Sequence, residues 1–455
     1  MARVSSDHEH FSSRWTFILA AVGSAVGLGN IWKFPYEAGQ GGGGAFVLVY
    51  LGFVFLIGVP VMIGELAIGR RGQSSPPIAV ANLAFEEGRS VFWSILGWMG
   101  VLGAFLVLSF YSVIAGWTLD YIFKTVIGVT GQVTAETSGE VFGGLLASWE
   151  RMAAWHFLFI AMTVFIIARG VTSGIEQAVT YLMPALFVLL IILVAYALVA
   201  GEARQAMLFL FQPDFSKLTP NVVIQALGQA FFSLSLGLGA VMIYGSYLPK
   251  SVSIPRSAVI IGAADTVVAL LAGLAIFPLV FAYNLDVGSG PGLIFETLPI
   301  AFAQMPGGSI FGFLFFTLLT VAAITSSISM MEPMVSYLQE RHYVKRVKAA
   351  IGVGIAAFVF GLGTVFSFNI WADVKLFDRT FFDTLDFVTN NLLMPLGGLL
   401  VALFVGWAMR FASVREELSS VSDGFFARIY GLLSVVCPIA LVLVFLNVAG
   451  LLSFG

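Results

Sequence analysis

Eleven stretches of this chain stay apolar for long enough to cross roughly 30 Å of hydrocarbon, and that leaves little choice of fold. They run over residues 14–38, 44–70, 91–126, 153–170, 178–200, 221–248, 256–284, 307–339, 347–368, 380–409 and 427–451. Inside a bilayer every backbone amide and carbonyl must be paired within the protein, so segments of this length and number are expected to be helices. The expected class is therefore all-α integral membrane, with about 11 transmembrane helices. Only 10% of the residues are charged and the mean hydropathy is +0.97, too little polar material to cover a water-soluble body of 455 residues. The first stretch lacks a short apolar run followed by an A-x-A cleavage site, so it is expected to be a retained span. "GPGLIFETLPIAFAQMP" (290–306) is too short to cross and is expected as a capping or re-entrant helix.

Lys and Arg then predict the orientation. With the N-terminus in the cytoplasm, 15 of the 22 basic residues fall on the cytoplasmic side and 6 outside, while Lys33 lies inside a span. An eleventh crossing places the C-terminus outside. The expected location is the cell inner (plasma) membrane, multi-pass. A net charge of -3, with no basic cluster interleaved with aromatics, points to lipid and not to nucleic acid. The single cysteine, Cys437, excludes an intrachain disulfide and CxxC metal chemistry. His8 and His10 lie in the polar tail 1–13, and His156 and His342 stand alone. The spans pair no nucleophile with a base, so no enzyme is expected.

Two spans carry a polar, glycine-bearing interruption near mid-depth: "GSAVGLGN" (23–30) in the first and "SLSLGLGA" (233–240) in the sixth. One glycine run of this kind reads as close helix packing. Two at the same ordinal position in successive sets of five point to inverted repeats, 14–200 (spans 1–5) and 221–410 (spans 6–10), with 427–451 as an added eleventh span. A helix broken in lipid survives only where something satisfies its bare amides and carbonyls. The amides suit an anion and the carbonyls a cation.

"AAVGSAVGLGNIWKFP", "GGGGAF", "VPVMIGELAIGRRG", "SLSLGLGA" and "ITSSISMMEP" together resemble the neurotransmitter:sodium symporters (the sodium:neurotransmitter symporter family), and within them the bacterial leucine-transporter type. The resemblance covers nearly the whole chain and implies the leucine-transporter fold, with two five-helix inverted repeats and broken helices 1 and 6. It implies two Na+ sites. The first takes Ala25, Asn30, Ser233 and Asp265, and the second takes Gly23, Val26, Ala322, Thr325 and Ser326. It implies a substrate pocket of Ser24, Ala25, Leu28, Gly29, Val107, Tyr111, Phe232, Ser233, Ser235, Leu238, Ser326 and Met330. Tyr111 would serve the substrate carboxylate beside the amides of Leu28 and Gly29. Monoamine members carry an aspartate where this chain has Gly27, and the glycine leaves room for an amino acid's own carboxylate.

The same resemblance implies an outer gate of Lys33 and Asp386 above a lid of Tyr111 and Phe232. The usual arginine is here a lysine, which lacks the planar fork. The inner gate would use Tyr247 and Glu340, and the customary arginine partner aligns with His8, with Arg3 as a substitute. Glu65 matches a buried acid near the amides of span one. Chloride is not expected: Asp265 and Ala269 replace the asparagine and serine of chloride-dependent members, although Tyr50 and Gln229 keep chloride-site identities. The function implied is Na+-coupled symport of a neutral, hydrophobic amino acid by alternating access. The competing readings are a taurine- or GABA-like osmolyte symporter and an ion channel, the latter without any filter motif to support it.

Overall fold

The computed structural model describes residues 11–287, 292–376 and 378–448. The chain opens with α1 (Arg14–Ala25), bent by 48° from α2 (Gly29–Gln40). Next come α3 (Gly44–Gly72), the short α4 (Pro76–Glu86), α5 (Val91–Val126), α6 (Ser138–Ala147), α7 (Trp149–Ile167) and α8 (Val171–Ala200). The second half runs α9 (Ala203–Phe211), α10 (Pro220–Ser233), α11 (Ala240–Ser246), α12 (Ile254–Ala282), α13 (Leu293–Gln304), α14 (Gly308–His342), α15 (Arg346–Ser367) and α16 (Phe381–Ala408). It closes with α17 (Phe411–Glu417) and α18 (Asp423–Leu446).

Among the described residues nine helices are long and apolar enough to cross a membrane, and the bent pair α1–α2 makes a tenth. The remaining expected segment, the sixth (221–248), is present as α10 and α11, each too short to cross alone. α13 is short, as expected of 290–306. Three starts differ from the sequence reading by four residues or more. α7 starts at Trp149 ahead of 153, α8 at Val171 ahead of 178, and α18 at Asp423 ahead of 427. The polar "VTSGIE" masks the second start; it is wound as a wide, π-helical turn after Gly170, whose φ of 102° turns the chain. The end of the eleventh segment, and His8, His10 and Arg3, lie outside the described residues.

α14 is the most enclosed span, with 67% of its apolar window buried, against 22% for α18, which places α14 at the centre and α18 at the periphery. Where α3 meets α11 the backbones touch. A Cβ on Gly69 would lie 1.9 Å from the Met242 carbonyl, and one on Gly245 would lie 2.8 Å from that of Leu66. Only glycine fits at both points, so these helices pack with no side chain between them.

Candidate functional site

Both interruptions are real breaks. α1 ends at Ala25, Val26 is extended (φ -75°, ψ 108°), and helix resumes at Gly29 as a π-helical turn. In the second, Ser235, Gly237 and Gly239 all have positive φ (53°, 76° and 69°) before α11 begins. Two of these three are glycine, which enters the left-handed region without the steric penalty a Cβ brings. At Gly237 a Cβ would also lie 2.4 Å from the Met394 carbonyl of α16.

The breaks face one another. Ser235 Oγ donates to the Ser24 carbonyl at 3.0 Å, tying the second break to the first. Gln229 Nε2 donates to the Gly29 carbonyl at 2.7 Å, and the Gly27 amide donates to Asn30 Oδ1 at 3.0 Å. Asn30 Nδ2 in turn donates to Asp265 Oδ1 at 2.7 Å. Asp265 Oδ2 accepts from Ser233 Oγ at 2.7 Å and from Tyr50 Oη at 3.1 Å. The expected members Asn30, Ser233 and Asp265 thus meet in one fully buried network, and Tyr50 and Gln229 belong to its edge.

A second oxygen-rich point lies against α14. Ser326 Oγ sits 3.4, 3.4 and 3.3 Å from the carbonyl oxygens of Gly23, Ser24 and Val26. One hydroxyl proton serves one carbonyl well, so three acceptors around it leave oxygen lone pairs over, and the buried Ser24 Oγ has no protein partner at all. Surplus buried oxygen of this hard kind fits a small cation. Thr325 behaves otherwise: its hydroxyl donates to the Ala322 carbonyl of its own helix at 3.0 Å.

The residues expected to line a pocket lie beside these points. Tyr111 Oη accepts from the Leu28 amide at 3.1 Å, and Val107 lies one turn earlier on α5, also buried. Leu238 sits over Gly103, where a Cβ would lie 2.9 Å from Leu238 Cδ2. Met330 is buried one turn beyond Ser326, and Phe232 flanks Gly29, with 2.9 Å from an added Cβ to its ring. A Cβ on Gly27 would meet Ser326 Oγ at 2.3 Å and Tyr111 Oη at 2.8 Å, so glycine is what brings these two hydroxyls against the first break.

The chain belongs to the sodium:neurotransmitter symporter family. That family's profile matches residues 8–131 and 135–453. The chain is 42% identical to YhdH, an uncharacterised sodium-dependent transporter of Bacillus subtilis, over 98% of each chain. It is 34% identical to an uncharacterised sodium-dependent transporter of Haemophilus influenzae, over 98% of this chain and 99% of that one. Its fold matches the crystal structure of MhsT in complex with L-phenylalanine, with a TM-score of 0.90 and 42% identity over 96% of this chain and 99% of that one. The protein is a sodium-dependent membrane symporter with the leucine-transporter fold, and not an enzyme.

In this symporter the two residues expected at the outer gate do not meet. Lys33 Nζ lies over the Phe232 ring, 4.6 Å from its centre, and Asp386 Oδ1 accepts from Asn390 Nδ2 at 2.6 Å. Among the described residues no ion pair joins Lys33 to Asp386. A single ammonium finds the face of an aromatic ring as readily as a distant carboxylate.

The residues expected at the inner gate, Tyr247 and Glu340, have separate partners. Tyr247 Oη donates to Glu332 Oε1 at 2.7 Å, and Arg346 clamps the same carboxylate through Nη1 at 2.9 Å and Nη2 at 2.5 Å. Glu340 instead accepts from the Ser75 amide at 2.8 Å and from the hydroxyls of Ser75 and Ser336. Glu332 and Arg346 were not among the expected residues. The available signal was the acid beside a proline in "MMEPM", deep in an apolar run. Glu65, expected beside span one, accepts through Oε1 from the Gly237 amide at 2.7 Å and so supports the break in span six.

Proposed function

We propose that the symporter carries a neutral amino acid with a hydrophobic side chain into the cell, coupled to two Na+ and without chloride. The observation that carries this reading is the meeting of two broken spans at a buried point that offers amides, hydroxyls and surplus carbonyl oxygens together. An amino acid's carboxylate suits the Leu28 and Gly29 amides with the Tyr111 and Ser326 hydroxyls. Its side chain would rest among Val107, Phe232, Leu238 and Met330, an apolar wall. The likeness to MhsT, crystallised with L-phenylalanine, supports an apolar amino acid over an osmolyte.

One Na+ is assigned to Ala25, Asn30, Ser233 and Asp265, and the other to Gly23, Val26, Ala322, Thr325 and Ser326. For the second, the Thr325 hydroxyl would have to turn from the Ala322 carbonyl toward the ion. Chloride independence rests on Asp265, whose carboxylate already takes the Tyr50 and Ser233 hydroxyls that an anion would take. The N-terminus is assigned to the cytoplasm and the C-terminus to the outside. The repeats are assigned to 14–200 and 221–410, and access to the site alternates as the bundle of spans 1, 2, 6 and 7 rocks against spans 3, 4, 8 and 9.

Uptake of labelled amino acids, taurine and GABA into proteoliposomes, with and without Na+ and chloride, tests the reading. Sodium-dependent uptake of apolar amino acids that persists in gluconate supports it. Uptake of taurine or GABA in their place overturns the substrate, and loss of uptake in gluconate overturns the chloride assignment.

A further inference from the structure

The N-terminal end of α1 is held by a residue that none of the site assignments includes. Both oxygens of the Glu176 carboxylate bind Ser12: Oε2 accepts from the Ser12 amide at 3.0 Å, and Oε1 accepts from the Ser12 hydroxyl. Glu176 ends the π-helical turn Val171–Glu176 that opens α8, and it is buried. Ser12 is exposed. Beside it, Phe11 is buried against Phe17, Tyr244 and Tyr247, with ring centres 6.0, 5.8 and 6.0 Å away. The Phe11 amide reaches the Tyr247 carbonyl at 3.4 Å.

α8 backs α1 a second time, seven residues on. A Cβ on Gly23 would meet Met183 Sδ at 2.9 Å. Positions 176 and 183 lie two turns apart on one face of a helix. The same face of α8 therefore grips α1 at Ser12 and presses on it at Gly23, whose carbonyl lies by Ser326.

We propose that Glu176 is the positioning residue that keeps α1 shut against α8, a latch whose release accompanies opening of the site on the N-terminal side. The inference rests on the transport reading above. Its chemistry suits a latch. The carboxylate grips two donors of a solvent-exposed serine, which water takes up when α1 leaves, so release costs about one net hydrogen bond, enough to hold α1 and small enough to yield.

The test uses the full chain in proteoliposomes. Cys437→Ala removes the single native thiol, and Ser246→Cys, on buried α11, reports opening by its labelling rate with a charged thiol reagent. Glu176→Ala is expected to raise that rate about fivefold, the equivalent of ~1 kcal/mol and of one net hydrogen bond. Ser12→Ala raises it less, and the double variant exceeds Glu176→Ala by nothing, because both substitutions break one contact. The proposal is overturned by an unchanged rate in Glu176→Ala or by additive effects. A Glu176→Ala protein that melts earlier yet labels at the parental rate would show a merely structural contact. Where Glu176→Ala does not fold, Ser12→Ala and Glu176→Gln carry the test. Sodium-dependent uptake by the parent is measured alongside. Its absence would refute the transport reading, while the labelling rates still decide whether Glu176 holds α1.

Discussion

Asp265 accepts from Asn30, Tyr50 and Ser233 at 2.7, 3.1 and 2.7 Å, and replacing it puts a neutral amide where three donors converge. Asp265→Asn is expected to lower uptake in chloride-free buffer about tenfold (~1.4 kcal/mol), with chloride restoring part of it or uptake failing in both buffers. Unchanged chloride-free uptake would refute the charge-compensating role. Lys33 offers a gain instead of a loss. Lys33→Arg supplies a fork that can take Asp386 in two parallel bonds, and bound substrate is expected to leave several-fold more slowly. A radioligand washout measures this, and release at the parental rate would mean that the Lys33–Asp386 gap does not control exit.

At the scale of elements, the second break is set by positive φ and both breaks by side chains reaching in from other helices. Gly237→Ala adds a Cβ at φ 76°, 2.4 Å from the Met394 carbonyl, and should cost at least ~2 kcal/mol. A thermal melt in detergent reads this as a lowered midpoint. Glu65→Ala strands the Gly237 amide and should cost about 1–3 kcal/mol. Glu65→Gln keeps an acceptor and should recover most of the midpoint; equal losses for both would mean the bond to Gly237 is not what the carboxylate supplies. The positions of both breaks were legible in the sequence, because glycine and hydroxyl residues at mid-depth have few other uses. The partners were not. Glu65 serves span six, and Tyr247 serves Glu332, because those pairings depend on how distant helices cross, which no local pattern encodes. The start of α8 was hidden for a related reason: "VTSGIE" is polar, yet its Glu176 turns inward to another part of the chain.

Across the whole molecule, the loops between spans are stapled by charge. Arg70 Nε reaches Glu417 Oε2 at 2.7 Å, and Arg410 Nε reaches Glu87 Oε2 at 2.6 Å. Desolvation pushes the Glu87 carboxyl up, but bonds from Ser413 and Arg410 outweigh it and hold the group below the ordinary carboxylate range. A depressed folded value stabilises the protein above the unfolded pKa, and that contribution fades as pH falls through the folded one. The melting midpoint of the parent should therefore drop more steeply than that of Glu87→Gln as pH is taken below that range. Parallel curves would remove Glu87 from the account of acid sensitivity. The bare-backbone seam between α3 and α11, closed further by Glu65 on Gly237, has a different consequence. Two rods in such intimate register are expected to travel as a single lever. A covalent tether between them should be invisible to turnover, whereas one joining residues 12 and 176 should freeze the carrier mid-cycle.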